Sequence, residues 1–108
     1  AEVHGISNAV LEQFVYDENG LQMSTNFENY KLATAADVPH IEITYATTPC
    51  PHTPLGTRGV GEGRPSSVPG ALTNAVCDAL APFDIQINSL PLRPESIWRA
   101  IQEAKRER

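Results

Sequence analysis

The sequence predicts an α+β fold of about three helices, a small hairpin and one or two further strands. Three observations predict it. Apolar residues recur at helical spacing in three separate stretches, an Asn-Gly pair sits between two short apolar runs, and Ile41-Glu42-Ile43-Thr44-Tyr45 alternates. At 108 residues the chain is one domain at most, with residues 1–108 read as a single domain or a fragment of one.

The elements follow in order. Ile6, Ala9, Val10 and Phe14, with Leu11 beside them, make an apolar stripe, so roughly residues 3–14 read as an amphipathic helix. Val15-Tyr16 and Leu21-Gln22-Met23 flank Asp17-Glu18-Asn19-Gly20, where Asn-Gly is the strongest short signal for a hairpin turn. Residues 24–39 are polar and aperiodic and read as an irregular excursion. The β-branched and aromatic alternation that follows predicts a strand over residues 40–47. From Thr48 to Pro69 the chain is dense in Pro, Gly, Ser and Thr, and a loop of that length is usually functional or disordered. Ser66-Ser67-Val68-Pro69 carries helix-start signals, serine at the cap and proline in the first turn. Leu72, Ala75, Val76, Ala79 and Leu80 then share a stripe, giving a helix over residues 68–80 that stops near Pro82. Phe83 to Asn88 reads as a short strand. Pro94 opens a last helix with Ile97, Ile101 and Ala104 on one side.

Composition narrows the function. A net charge of −5 argues against nucleic acid or an anionic membrane surface as the main partner. Lys105, Arg106 and Arg108 cluster where they oppose the negative end of a helix dipole. No apolar run approaches the roughly 20 residues of a membrane span, and no signal peptide is visible, so a cytoplasmic location is expected. Cys50 and Cys77 are far apart, and His4, His40 and His52 are scattered, so no iron–sulfur or zinc site is encoded. Both thiols are expected reduced, with Cys77 buried on a helix. The chain reaches an apolar-periodic run within a few residues of Ala1, which hints at a piece of something larger.

The stretch with most chemistry is Gly56 to Gly63, GTRGVGEG, where four glycines surround the single carboxylate of Glu62. A phosphate-cradling P-loop would continue Gly-Lys-Ser/Thr, whereas this one continues Gly63-Arg64-Pro65. A dinucleotide fingerprint needs different glycine spacing and a strand that ends nearer the helix. A carboxylate aimed from a glycine bend ahead of a helix N-terminus fits the residues, because glycine lets backbone approach a ligand closely. On spacing alone, a turn that Glu62 merely decorates fits them equally.

Several motifs in one collinear order carry a resemblance. Gly59-Val60-Gly61-Glu62, Asn74-Ala75-Val76-Cys77-Asp78-Ala79 and Leu90-Pro91-Leu92-Arg93-Pro94-Glu95-Ser96-Ile97-Trp98 occur in sequence. Upstream stand His4-Gly5-Ile6-Ser7-Asn8-Ala9-Val10-Leu11-Glu12, Asn29-Tyr30 and Ala35-Ala36-Asp37-Val38-Pro39. Together they resemble the C-terminal end of the large subunit of molybdenum hydroxylases, the family of xanthine dehydrogenase, aldehyde oxidase and carbon monoxide dehydrogenase. The fold implied is part of a larger molybdopterin-binding domain.

The resemblance implies that Glu62 is the catalytic general base at the molybdenum site. It puts Gly59, Val60, Gly61, Ser66 and Ser67 at the cofactor. The reaction implied is hydroxylation or oxidation of an aldehyde, N-heterocycle or similar small substrate. A molybdopterin-type molybdenum cofactor is then expected in the full assembly, with iron–sulfur clusters and FAD on partner subunits. The partners implied are the remainder of the large subunit and the iron–sulfur and flavin subunits. Three departures stand out: His4 in place of a cofactor-contacting glutamine, Arg58 in place of lysine, and Arg64-Pro65 in place of small residues. The chain is too short to hold a pterin alone, so in isolation it is expected to be inactive, with self-association left open. The competing expectation is a non-catalytic split or relic subunit that serves as an assembly or binding module.

Overall fold

The structure is a computed structural model that describes residues 2–63 and 65–107. Ala1, Arg64 and Arg108 lie outside the described residues, and with them the readings that rested on the opening residue, on Arg64 after Glu62 and on Arg108 in the basic cluster.

Three α-helices form: α1 (Glu2–Val10), α2 (Val68–Leu80) and α3 (Pro94–Arg106). Short 3-10 turns lie at Pro54–Gly56 and Ala81–Phe83. Helix α2 has the predicted bounds. Ser67 takes the cap position with Pro69 in the first turn, although no side-chain capping bond forms there. Helix α3 opens at Pro94 as expected, with Ile97, Ile101 and Ala104 half-buried, and Lys105 and Arg106 complement its C-terminal dipole. Its Glu95 and Arg99 pair at 2.6 Å one turn apart on the exposed side, an ion pair worth a few tenths of a kcal/mol, on the order of 0.3–0.5.

Helix α1 is shorter than the expected 3–14. The N–H groups of Leu11 and Glu12 both donate to the Ser7 carbonyl at 2.9 and 3.0 Å, and the helix ends there. Beyond it, the buried Ser24 hydroxyl takes backbone groups that a longer helix would pair internally. Its Oγ accepts from Val15 N–H at 2.8 Å and donates to the Gln13 carbonyl at 2.9 Å. Ser24 also explains why the hairpin strands do not form. The Asn19-Gly20 reversal is present, with Gly20 at φ 79° and Asp17 Oδ1 accepting from the N–H groups of Asn19 and Leu21. Met23 N–H donates to the Val15 carbonyl at 2.7 Å, but the return bond of that rung is lost because Val15 N–H goes to Ser24. Only an isolated antiparallel bridge, Tyr16 to Gln22, is left.

The other two expected strands are corrected as well, and no strand occurs among the described residues. At 83–88, Phe83 ends a 3-10 turn and Asp84 adopts a left-handed φ of 58°. Ile87 then spends its backbone on Cys77: its N–H donates to Sγ at 3.3 Å, and the thiol faces its carbonyl at 3.7 Å. Cys77 is accordingly half-buried rather than buried. At 40–47 no neighbouring strand is offered, and the run from Val38 to Cys50 passes without helix, turn or bend.

The core is small and made of small residues. Ala9, Leu80 and Leu92 are its buried apolar members, with Ser7 and Ser24 as buried polar ones. Helix α1 lies at its centre, but of the expected Ile6, Ala9, Val10 and Phe14 stripe only Ala9 is buried, together with Gly5 and Ser7; Ile6 and Val10 are half-buried and Phe14 is exposed. Gly5 sits against α2 so closely that a Cβ there would be 2.5 Å from the Val68 Cβ. On other sides, Leu92 N–H donates to the Ala9 carbonyl at 2.7 Å, and Ala33 N–H donates to Ser7 Oγ at 3.0 Å. Small residues win here because three chain segments approach one short helix. In α2, Ala75 and Ala79 of the expected stripe are exposed, and Leu72, Val76 and Leu80 carry the packing.

Much apolar surface stays uncovered, including Phe14, Tyr16, Phe27, Tyr45, Leu55 and Trp98. The accessible area is 8482 Å², against about 5,900 Å² for a folded monomer of 11.7 kDa. The radius of gyration is 18.0 Å, against about 13 Å for a compact chain of this length. Among the described residues no helix is long and apolar enough to cross a membrane.

Candidate functional site

The loop before α2 is built from two pieces with different roles. The first, residues 49–57, closes on itself. Cys50 N–H donates to the Gly56 carbonyl at 3.0 Å, Gly56 N–H to the Thr53 carbonyl at 3.1 Å, and Thr53 Oγ1 to the Thr57 carbonyl at 2.7 Å. Leu55 and Gly56 hold positive φ values of 60° and 67°, and a Cβ on Gly56 would meet the Pro49 Cβ at 2.9 Å. Gly56 is therefore required by the loop itself. Within it, the N–H of His52 and the hydroxyl of Thr53 face Cys50 and hold its thiol below the usual range.

The second piece presents the candidate residues. Gly63 N–H donates to the Val60 carbonyl at 3.0 Å, closing a turn with Gly61 and Glu62 at its two central positions. Gly61 has φ 48° and Glu62 does not share the left-handed region, so only the first central position needs glycine. Ser66 Oγ donates to the Gly63 carbonyl at 2.9 Å and ties the turn to the start of α2. Ser67 follows at the cap. Gly59, Val60, Gly61, Glu62, Ser66 and Ser67 thus lie on one short exposed segment, and both Glu62 and Val60 face solvent.

The glycines of this turn are informative individually. A Cβ built on Gly61 would meet nothing within 4 Å, but its φ disfavours any other residue. Gly59 has neither reason: its φ is ordinary and a Cβ there would also meet nothing. Among the described residues nothing requires glycine at 59. Of the departures noted in the sequence, His4 and Arg58 are both exposed.

Sequence reasoning gave no role to a polar cluster on the far side of α1. Tyr30 OH donates to Glu12 Oε2 at 2.6 Å, and the Asn8 amide, turned so that its nitrogen faces the carboxylate, donates to both Glu12 oxygens at 2.9 Å. The hydrogen bond to Glu12, then burial and the Glu12 charge, raise the Tyr30 pKa. The Phe14 ring lies 5.1 Å from that of Tyr30. Glu12 and Tyr30 both occur in the collinear motifs, which was the one available signal.

Comparison with known proteins gives this geometry a setting. Residues 1–39 match the family model described as a molybdopterin cofactor-binding domain. The chain is 40% identical over 98 residues to the nicotine 6-hydroxylase large subunit of Paenarthrobacter nicotinovorans, covering 91% of this chain and 12% of that protein. Among solved structures, it superposes on quinoline 2-oxidoreductase from Pseudomonas putida 86 with a TM-score of 0.82 at 39% identity, covering 94% of this chain and 14% of that one. It superposes on carbon monoxide dehydrogenase from Oligotropha carboxidovorans with a TM-score of 0.83 at 28% identity, covering 99% and 14%. Sequence and fold together identify the chain as a fragment-length relative of the molybdenum hydroxylase large subunits. It spans about one eighth of the length of the relatives it matches.

Proposed function

We propose that this chain forms one wall of a molybdopterin site in a larger hydroxylase and supplies Glu62 as its general base. The observation that carries the reading is the turn itself. Glu62 stands on an exposed turn between Gly61, whose Cβ position opens onto free space, and Gly63, whose Cβ would crowd the Val60 carbonyl at 3.2 Å, in a chain whose relatives include oxidoreductases by name. The residues fit an anionic group. The backbone N–H groups of Gly61 and Glu62 and those of Val68 and Gly70 in the first turn of α2 are donors with partial positive charge, while the Ser66 hydroxyl is spent on the Gly63 carbonyl. Gly59, Val60 and Gly61 would approach the cofactor by backbone, and Ser66 and Ser67 would contribute from the α2 side.

When bound, the cofactor supplies the two-electron oxidation of the substrate. Iron–sulfur clusters and FAD on partner subunits would carry the electrons on. Glu62 would be the residue that accepts the proton released in that oxidation, which needs its carboxylate about 2.6–3.2 Å from the proton donor. The glycines leave that approach unobstructed, and the Ser66 bond to Gly63 fixes the turn. Nicotine and quinoline, named for two of the relatives, are both nitrogen heterocycles, so an N-heterocycle leads among the small substrates. The uncovered surface, about 2,600 Å² beyond that of a compact chain, is the face that would meet the remainder of the large subunit.

Native mass spectrometry with metal analysis on material from the source cell tests the reading. A larger assembly that contains this chain and holds molybdenum supports it. A stable monomer without metal or partner overturns it and leaves a relic or free-standing binding module.

A further inference from the structure

We infer that residues 40–47 become a β-strand on assembly, adding to an open sheet edge of the remainder of the large subunit. The inference rests on the proposed function for the identity of the partner. The observation is an accounting of backbone groups. Between Val38 and Pro49 no backbone N–H or carbonyl takes part in any hydrogen bond among the described residues, and no side chain bonds there either. The run also has no turn or bend. Its composition is that of a strand: Ile41, Ile43 and Tyr45 alternate with Glu42, Thr44 and Ala46, and Pro39 and Pro49 bound it.

Such a run cannot be covered by an arbitrary apolar surface, because every buried backbone donor and acceptor needs a partner. Among the described residues there is no strand to offer it. A sheet edge presents alternating donors and acceptors at the required spacing, and eight residues would span about 26 Å of it. Ile43 is 50% exposed and Tyr45 78%, so the apolar side of the strand is as free as its backbone. A second copy of this chain fits less well. Each copy carries a net charge of −5, and each would bring Glu42 to the shared ladder. The uncovered area also exceeds the roughly 800 Å² per partner of a standard interface, which suits a large partner rather than a single strand pair.

Residue-resolved amide exchange on the assembled enzyme and on the free chain tests the inference. In the free chain residues 40–47 should exchange as open coil. In the assembly alternate amides of the run should slow by on the order of a hundredfold or more. Because only alternate N–H groups face the partner edge, one of Ile43→Pro and Thr44→Pro should weaken rejoining of the chain to its partner by about tenfold or more, leaving the helical signal of the free chain unchanged. An active, molybdenum-holding assembly in which residues 40–47 still exchange as coil overturns the inference and leaves the proposed function standing. So does unchanged affinity of both Pro variants. Protection that appears in the free chain with rising concentration, together with a dimer mass, assigns the strand to a second copy and overturns the stated partner. A chain that joins no larger subunit overturns both readings.

Discussion

Replacing Gly5 by alanine separates local helix propensity from packing, because the two act in opposite directions. Gly5 lies inside α1, where Gly→Ala ordinarily stabilises a helix by about 1 kcal/mol. Here the added Cβ would stand 2.5 Å from Val68 Cβ, 2.8 Å from Cγ2 and 3.0 Å from Cγ1, all on the first residue of α2. Ordinary carbon contacts start about 1 Å further out, so α1 and α2 must move apart. Overpacking of this kind costs about 1–3 kcal/mol, which outweighs or cancels the propensity gain and leaves a net loss of up to about 2 kcal/mol. For a domain of this size that lowers Tm by up to roughly 8–16 °C, read as loss of helical circular dichroism on heating. The partner residue sharpens the test. Val68→Ala removes both γ carbons but keeps the closest atom, so it should relieve Gly5→Ala only partly, whereas Val68→Gly should relieve it further. A Tm for Gly5→Ala above that of the parent chain would refute the close helix contact.

Other perturbations have equally definite outcomes. Ser24→Ala leaves the Val15 N–H and the Gln13 carbonyl without their buried partner, and urea unfolding should show a loss of about 1–3 kcal/mol. The raised Tyr30 pKa means that the folded chain holds this proton more tightly than the unfolded one. Its contribution to stability is therefore full below about pH 10 and lost as pH rises through the folded value. An ultraviolet titration should find Tyr30 the last tyrosine to ionise, and Glu12→Gln should remove the delay; simultaneous ionisation of all tyrosines would contradict the Glu12 bond. Because its thiol is held down by His52 N–H and Thr53, Cys50 should be alkylated faster than Cys77 near neutral pH, and Thr53→Ala should slow it. Peptide mapping after brief treatment with iodoacetamide reads both rates, and equal labelling would contradict the assignment.

What could be read from the sequence was local. Helix α2 came out with its bounds because Ser67, Pro69 and Pro82 are punctuation that acts within a few residues. The Gly61–Glu62 turn was legible for the same reason, since a positive φ is a property of one residue. The hairpin failed on a tertiary detail: Val15 N–H had two competing acceptors, and Ser24 Oγ won over the Met23 carbonyl. The α1 stripe held at Ala9 and failed at Phe14, because apolar periodicity assumes a helix facing one core. This one is approached from several sides, where Gly5, Ser7 and Ala9 fit and Phe14 does not. The alternation at 40–47 predicts a strand that does not form, because among the described residues no neighbouring strand satisfies its backbone. For Glu62 the sequence supplied the residue, the turn and the neighbours, and among the described residues nothing is bonded to its carboxylate.

Glu62→Gln in the assembled enzyme is the most direct measurement, because it removes the proton acceptor and keeps the shape of the side chain. Turnover per molybdenum should fall by about 10²–10⁴-fold, with metal content and assembly unchanged. Turnover per molybdenum within a few-fold of the parent enzyme would contradict Glu62 as the base.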